Sequence, residues 1–305
     1  MLFALLANLI AVYSLVSLPL AASHTIDVSD FSASGKVDFI SENYSTDQPV
    51  RKSNNSLGIE ITAPAAMMVD QKSGLVLWQK NVNSARSVAS LTKLMSALVF
   101  LDHNPGWEKA IAIQTSDYRE GGRINVFQGE ELTVRDLFYI SLVASSNTAI
   151  MALTRSTGLT AEEFTWAMNQ KAKDLGMNQS VFLDPTGLEV GNLATAADIF
   201  KLARAAFARP EIRDATSRAD YSFSIVNAPR QYRVENTNKL LKSYLKIIAG
   251  KTGYLDEAGY CLASQVKGPM GQEVIIVVLG SDSETGRFQE LKSLAQWSFD
   301  NYVWP

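Results

Sequence analysis

Apolar residues between 91 and 99 repeat at the spacing of one helical face. Leu91, Leu94, Met95, Leu98 and Val99 fall at i, i+3, i+4, i+7 and i+8, so they share a single buried stripe. Ahead of them the period shortens. Ala65, Met67 and Val69, then Leu75 and Leu77, flank Asp70-Gln71-Lys72-Ser73-Gly74, a turn signal between two apolar runs that predicts a β-hairpin. Further helices are predicted over 132–143, opened by Thr133 with Asp136 three residues on, and over 160–176, where Thr160 and Glu163 have capping-box spacing. Another runs over 194–208 and is stopped by Pro210. Alternation returns late, at Tyr221, Phe223 and Ile225. Ile247-Ile248-Ala249 and Tyr260-Cys261-Leu262-Ala263 follow, and the β-branched run from Val274 to Leu279 is the strongest strand signal. A last helix is expected from about 287 to 302. Strands at both ends with helices between predict an α+β fold, an antiparallel sheet covered by helices.

The ends of this pattern set the domain boundaries. The first 22 residues carry no charged side chain and reach the small residues Ala21-Ala22-Ser23 just after Pro19. This predicts a signal segment over 1–23. The alternative is an uncleaved anchor giving N-terminal membrane association, since the stretch is about long enough to span a bilayer. Either reading puts the remainder outside the cytoplasm, in a periplasm or on the outer face of the cell membrane. Residues 24–58 are rich in Ser, Asp and Asn and read as a flexible linker, which leaves 59–305 as the folded domain.

Composition removes several functions. A net charge of −3 over 305 residues gives no electrostatic reason to expect nucleic acid. With two histidines, His24 beside the expected processing site and His103 in a turn-like segment, a Ser-His-Asp triad has no well-placed base. Zinc sites need clusters of His or Cys, and Cys261 is the only cysteine, so neither a metal nor an intrachain disulfide is expected. No motif calls for a cofactor. Cys261 itself reads as a small buried hydrophobe.

Three short motifs supply chemistry in their place. Ser-x-x-Lys occurs at Ser90, Ser243 and Ser264. Residues three apart share a face on a helix and diverge on a strand, so only Ser90, which opens the strong helical stripe, brings its lysine, Lys93, alongside. Ser-x-Asn occurs at Ser41, Ser53 and Ser145, the first two inside the linker. Lys251-Thr252-Gly253 lies on an expected strand, whereas Lys72-Ser73-Gly74 falls in the hairpin turn. A serine hydroxyl becomes nucleophilic when a base removes its proton. Lysine, with an ordinary pKa near ~10.4, serves only if burial or a second cation lowers that value, and Lys251 is the candidate cation. Free N–H groups at the start of the helix, with the Tyr254 N–H opposite, would hold an oxyanion. A side chain at Gly253 would crowd an acyl group lying along the strand.

The order Ser90-x-x-Lys93, Ser145-x-Asn147, Lys251-Thr252-Gly253 resembles the penicillin-binding protein and serine β-lactamase superfamily. The finer likeness is to low-molecular-mass D-alanyl-D-alanine carboxypeptidases and endopeptidases. It is carried also by Leu175-Gly176-Met177, Asp184-Pro185-Thr186-Gly187-Leu188, Asn236-Thr237-Asn238 and Ala258-Gly259-Tyr260-Cys261. The resemblance implies a β-lactamase/transpeptidase-like fold with a helical subdomain carrying the nucleophile. It implies that Ser90 is acylated, Lys93 is its base and Ser145 relays a proton. Asn147, Lys251, Thr252, Gly253 and Tyr254 would position substrate, and Arg287 would meet the substrate's terminal carboxylate. The implied partners are peptidoglycan stem peptides, with β-lactam antibiotics as covalent inhibitors. The implied activity is a D-Ala-D-Ala carboxypeptidase. A cross-link endopeptidase, or a penicillin sensor that acylates without turnover, are the alternatives. Ending at Pro305 without a second β-rich domain is similar to the short endopeptidase branch. No Glu-x-x-Leu-Asn segment follows Ser-x-Asn, which argues against rapid penicillin hydrolysis.

Overall fold

The computed structural model describes residues 47–305, apart from 55, 57 and 120. The segment expected over 1–23, and most of the linker, lie outside these residues. The first element is a short strand, β1 (Val50–Arg51), and the hairpin follows as β2 (Ala65–Asp70) and β3 (Val76–Lys80). After β4 (Arg86–Ser87), a 3-10 turn at Ala89–Leu91 leads into α1 (Thr92–Asp102). Beyond it come β5 (Ala110–Ala112), β6 (Glu131–Thr133) and α2 (Val134–Val143). Thr133 caps α2 by accepting from Asp136 N, and Thr160 with Glu163 forms the expected capping box.

Two helices were not expected. The first, α3 (Asn147–Ser156), starts immediately after Ser145-Ser146 and precedes α4 (Ala161–Asp174). The second arises at Pro210. After β7 (Leu193–Ala194), helix α5 (Ala196–Ala208) does end where Pro210 predicts, but the same proline opens α6 (Pro210–Ser217). Its fixed φ and missing N–H cost nothing at a first helical turn.

Hairpin β8 (Asp220–Ser224) and β9 (Gln231–Glu235) leads to the long strands β10 (Lys246–Leu255), β11 (Gly259–Lys267) and β12 (Glu273–Ser281). The chain closes with α7 (Glu284–Asn301) and β13 (Tyr302–Val303). The main sheet is antiparallel, in the order β10-β11-β12-β2-β3. All six residues of β2 are buried, as suits a central strand covered on both faces. One face packs on α7 through Met68, Leu262, Ile276, Val278, Leu291 and Leu294. Helices α1 to α6 and their connections make the other part of the α+β fold, and β10 is the sheet edge beside the Ser90 turn.

Ordered structure begins earlier than the expected boundary at 59. Val50 pairs with Val303 and Arg51 with Tyr302, while Lys52 N donates to Asn301 O at 2.8 Å. Two exposed residues in a polar stretch carry no strand periodicity, so this pairing left no trace in the apolar pattern. Among the described residues no helix is long and apolar enough to cross a membrane.

Candidate active site

The 3-10 turn before α1 turns on Ala89, whose φ of 46° is left-handed. Such a conformation costs a non-glycine residue about 1–3 kcal/mol and persists where its surroundings enforce it. Gly187 and Gly253 let neighbouring backbone pack directly against this turn. A Cβ on Gly187, itself at φ +85°, would lie 2.0 Å from Ala89 O, and one on Gly253 would lie 2.9 Å from Val88 O and 3.2 Å from Ser90 N. Gly253 was expected to leave room for an acyl group. In the structure it already lets strand β10 approach the backbone of the serine turn.

Ser90 is partly exposed on that turn, and Lys93 lies one helical step below it, fully buried. Lys93 Nζ donates to Ser90 Oγ at 2.9 Å, to Asn147 Oδ1 at 2.7 Å and to Thr186 O at 2.6 Å. Burial lowers its pKa from 10.5 to about 7, against the opposing pull of Asp184. Lys251 is likewise held well below its ordinary value, by burial first, then by the charges of Lys93 and Arg287, so the two buried ammonium groups disfavour each other. The other two Ser-x-x-Lys pairs separate as strand and loop geometry requires. Ser264 Oγ donates to Ala249 O at 2.8 Å while Lys267 pairs with Glu273, and Ser243 Oγ turns back to Leu240 O.

Ser145 joins α2 to α3 at φ 58°, and this second left-handed residue aims its hydroxyl across the cleft. Lys251 Nζ donates to Ser145 Oγ at 2.7 Å and to Thr252 O at 2.9 Å. Ser146 caps α3, which fixes Asn147 on the first turn. Asn147 Nδ2 donates to Gly121 O at 3.0 Å, so the same side chain that accepts from Lys93 ties down the loop carrying Gly121 and Gly122. Thr252 Oγ1 lies 2.6 Å from Thr237 Oγ1. Tyr254 is exposed and stacks on Tyr260 with centroids 4.3 Å apart. Arg287 is buried: Nη1 donates to Gly253 O at 2.9 Å, and the guanidinium lies over the rings of Phe288 and Tyr260. It tethers β10 and at the same time borders the cleft.

A cleft of about 820 Å³ opens over this group, bordered by Ser90, Ser145, Asn147, Thr252, Gly253 and Arg287, with the two lysines beneath its floor. The sequence motifs thus converge on one cavity. Two contributors lie in the Asp184–Leu188 segment, which shared in the family likeness but had no role assigned to its residues. The Thr186 carbonyl is main chain, and Asp184 acts by organising that turn, accepting from Gly187 N at 3.0 Å and Asn192 Nδ2 at 2.6 Å. Cys261 is fully buried, which pushes its thiol up to about 11. Among the described residues no group of His, Cys, Asp and Glu could hold a metal ion. Chemically, a half-neutral amine at hydrogen-bond distance from a reachable hydroxyl can take its proton near neutral pH.

Known proteins resemble this chain in sequence and fold. The D-alanyl-D-alanine carboxypeptidase DacF of Bacillus subtilis is 32% identical over 247 residues, 79% of this chain and 63% of that relative. The chain thus spans a little under two thirds of its length. The D-alanyl-D-alanine endopeptidase of Escherichia coli is 30% identical over 249 residues, 81% of this chain and 80% of the relative. Among solved structures, the Streptomyces K15 DD-transpeptidase superposes with a TM-score of 0.74 at 26% identity, covering 80% of this chain and all of that one. Penicillin-binding protein D2 of Listeria monocytogenes, in a cefotaxime-bound form, gives 0.71 at 28% identity with the same coverage. Residues 48–283 match the D-alanyl-D-alanine carboxypeptidase (Peptidase S11) family, and the chain belongs to it.

Proposed function

We propose that the protein is a serine-type D-Ala-D-Ala carboxypeptidase acting on peptidoglycan stem peptides. The observation that carries this reading is the 2.9 Å contact between Ser90 Oγ and a wholly buried Lys93. Neutral Lys93 takes the hydroxyl proton as Ser90 Oγ attacks the penultimate D-Ala carbonyl. The peptide C–N bond then breaks, the departing D-Ala amine takes up a proton, and the acyl chain remains as an ester on Ser90. Water, deprotonated in its turn, releases the shortened peptide and restores the serine. The Ser145 hydroxyl, held by Lys251 Nζ, is placed to pass a proton to the leaving amine, and Asn147 holds Lys93 in line. Charge developing on the carbonyl oxygen falls to the backbone N–H groups of Ser90 and Tyr254.

Two relatives are named D-alanyl-D-alanine endopeptidases, which favours cleavage of internal D-Ala bonds, as in cross-links, as the second reading of the same site. A peptidoglycan substrate requires work outside the cytoplasm, in keeping with 1–23 as an export signal. β-Lactams, whose strained amide resembles the scissile bond, should acylate Ser90 and remain bound. The experiment is covalent labelling with a fluorescent penicillin. Wild type should label, and Ser90→Ala should not, while keeping its circular dichroism spectrum and melting temperature. Labelling that persists in Ser90→Ala would remove Ser90 from the chemistry.

A further inference from the structure

One end of the cleft carries a charge arrangement that the acylation chemistry does not use. Thr237 and Thr252 present their hydroxyls there, and Lys239, Arg287 and Arg123 border the same end. Two hydroxyls with three cations make a setting for a carboxylate. A carboxylate is already present. Glu284, the first residue of α7, accepts from Lys239 Nζ at 2.8 Å and lies 3.8 Å from Arg287 Nη2. Its position on the first helical turn favours the negative charge further. The Lys239 hydrogen bond, then the charges of Lys239, Arg287 and Arg123, hold its carboxyl below the ordinary range. Arg287 is held in place beside Glu284. Its Nη1 is bonded to Gly253 O at 2.9 Å, and its plane is fixed over Phe288 and Tyr260 at 4.7 and 5.3 Å.

On the acyl-enzyme reading above, this end of the cleft receives the leaving group. We propose that Glu284 is a built-in counter-carboxylate that sets leaving-group specificity. By neutralising Lys239 and Arg287 it lets the enzyme accept leaving amines whose adjacent carboxyl is an amide or a peptide, as in bridged cross-links, along with those bearing a free carboxylate. A substrate carboxylate must approach a fixed like charge and share its cations, whereas a neutral amide meets no such repulsion. Glu284 acts through charge and touches no reacting atom. It is a specificity residue.

The test uses the full chain and two matched substrates, an acylated tripeptide ending in D-Ala-D-Ala and the same peptide as its C-terminal amide. The readout is the ratio of kcat/KM for the acid to that for the amide. Glu284→Gln removes the competing charge and should raise the ratio by about three- to tenfold, mainly through KM for the acid, the size expected for a partly solvated charge nearby. Lys239→Gln breaks the same ion pair but leaves Glu284 less neutralised, and should lower the ratio. A merely structural latch would move both variants the same way or leave the ratio unchanged, and either result overturns the proposal. Fluorescent-penicillin labelling and thermal melts are run alongside. If folded wild type fails to label and cleaves neither peptide, the acyl-enzyme reading itself falls. If it labels and the ratio is insensitive to both substitutions, only the Glu284 proposal falls.

Discussion

Two buried charges show how differently the two parts of this molecule are built. Glu290, on α7 under the sheet, accepts from Thr62 N, Thr62 Oγ1 and Ala63 N at 2.6–3.1 Å and also from Ser281 Oγ. Neutral donors surround it and apolar side chains pack around them. Lys93 has three uncharged acceptors, the pull of Asp184 offsets its burial only in part, and a second buried lysine feels its charge. Two of the three left-handed non-glycine residues among the described residues, Ala89 and Ser145, lie on the Lys93 side too, the third being Asn81 just after β3. In the α7 half a buried charge is pinned to hold structure. At the seam between β10 and the helices, burial is used to move a pKa, and the apolar half supplies the stability that this arrangement consumes.

The comparison breaks most visibly at Lys93. Lys93→Arg keeps a positive charge that no working pH removes. It should lower acylation by a penicillin or a D-Ala-D-Ala peptide by about 10²–10⁴-fold, as stopped-flow or labelling rates would show. In wild type the neutral amine is the active form, so acylation should rise with pH through about 7 and level above it. Folding also expels a proton from Lys93, because its folded pKa lies below its unfolded value, so its contribution to stability improves as pH rises from about 7 towards 10.5. A rate that climbed steadily to pH 10 would contradict the buried-base reading. Gly187→Ala comes next. Its methyl would meet Ala89 O and shift the serine turn, and misplacement on the scale of an ångström costs about a hundredfold in rate, measurable as kcat/KM on a soluble peptide. Leu291→Ala should do least to the chemistry. Cutting a fully buried leucine under the sheet should cost about 2–5 kcal/mol in denaturant unfolding, with the acylation rate per folded molecule unchanged. A large rate loss there would mean that the two halves are not energetically separate.

Much of the sheet and the long helices was legible because each carries its own periodicity and cap. The Thr160–Glu163 box and the run from Val274 to Leu279 are the clearest cases. The motifs were legible because only one Ser-x-x-Lys stood on a helix. What escaped was helix α3, whose Ser145-Ser146 entrance resembles loop sequence although Ser146 is its N-cap. Also missed were α6 behind a proline that normally ends a helix, and pairing of β1, which is two residues long and exposed. Within the site, the Thr186 carbonyl escaped because main-chain acceptors belong to every residue type. Arg287 was anticipated as a hand for substrate, but its tether to Gly253 O depends on a strand crossing that no local pattern encodes. The pKa at Lys93 is lowered first of all by burial, a packing depth that spacing alone does not report.

The order of strands has a consequence in time. β2 lies between β3, its hairpin partner, and β12, where Ala66 faces Val278 and Met68 faces Ile276. The partners lie about two hundred residues apart, so this pairing must close a very long loop before it gains anything. The first hairpin therefore keeps its inner edge unpaired until β12 is available, and the five-stranded sheet can be completed only once nearly the whole domain has been made.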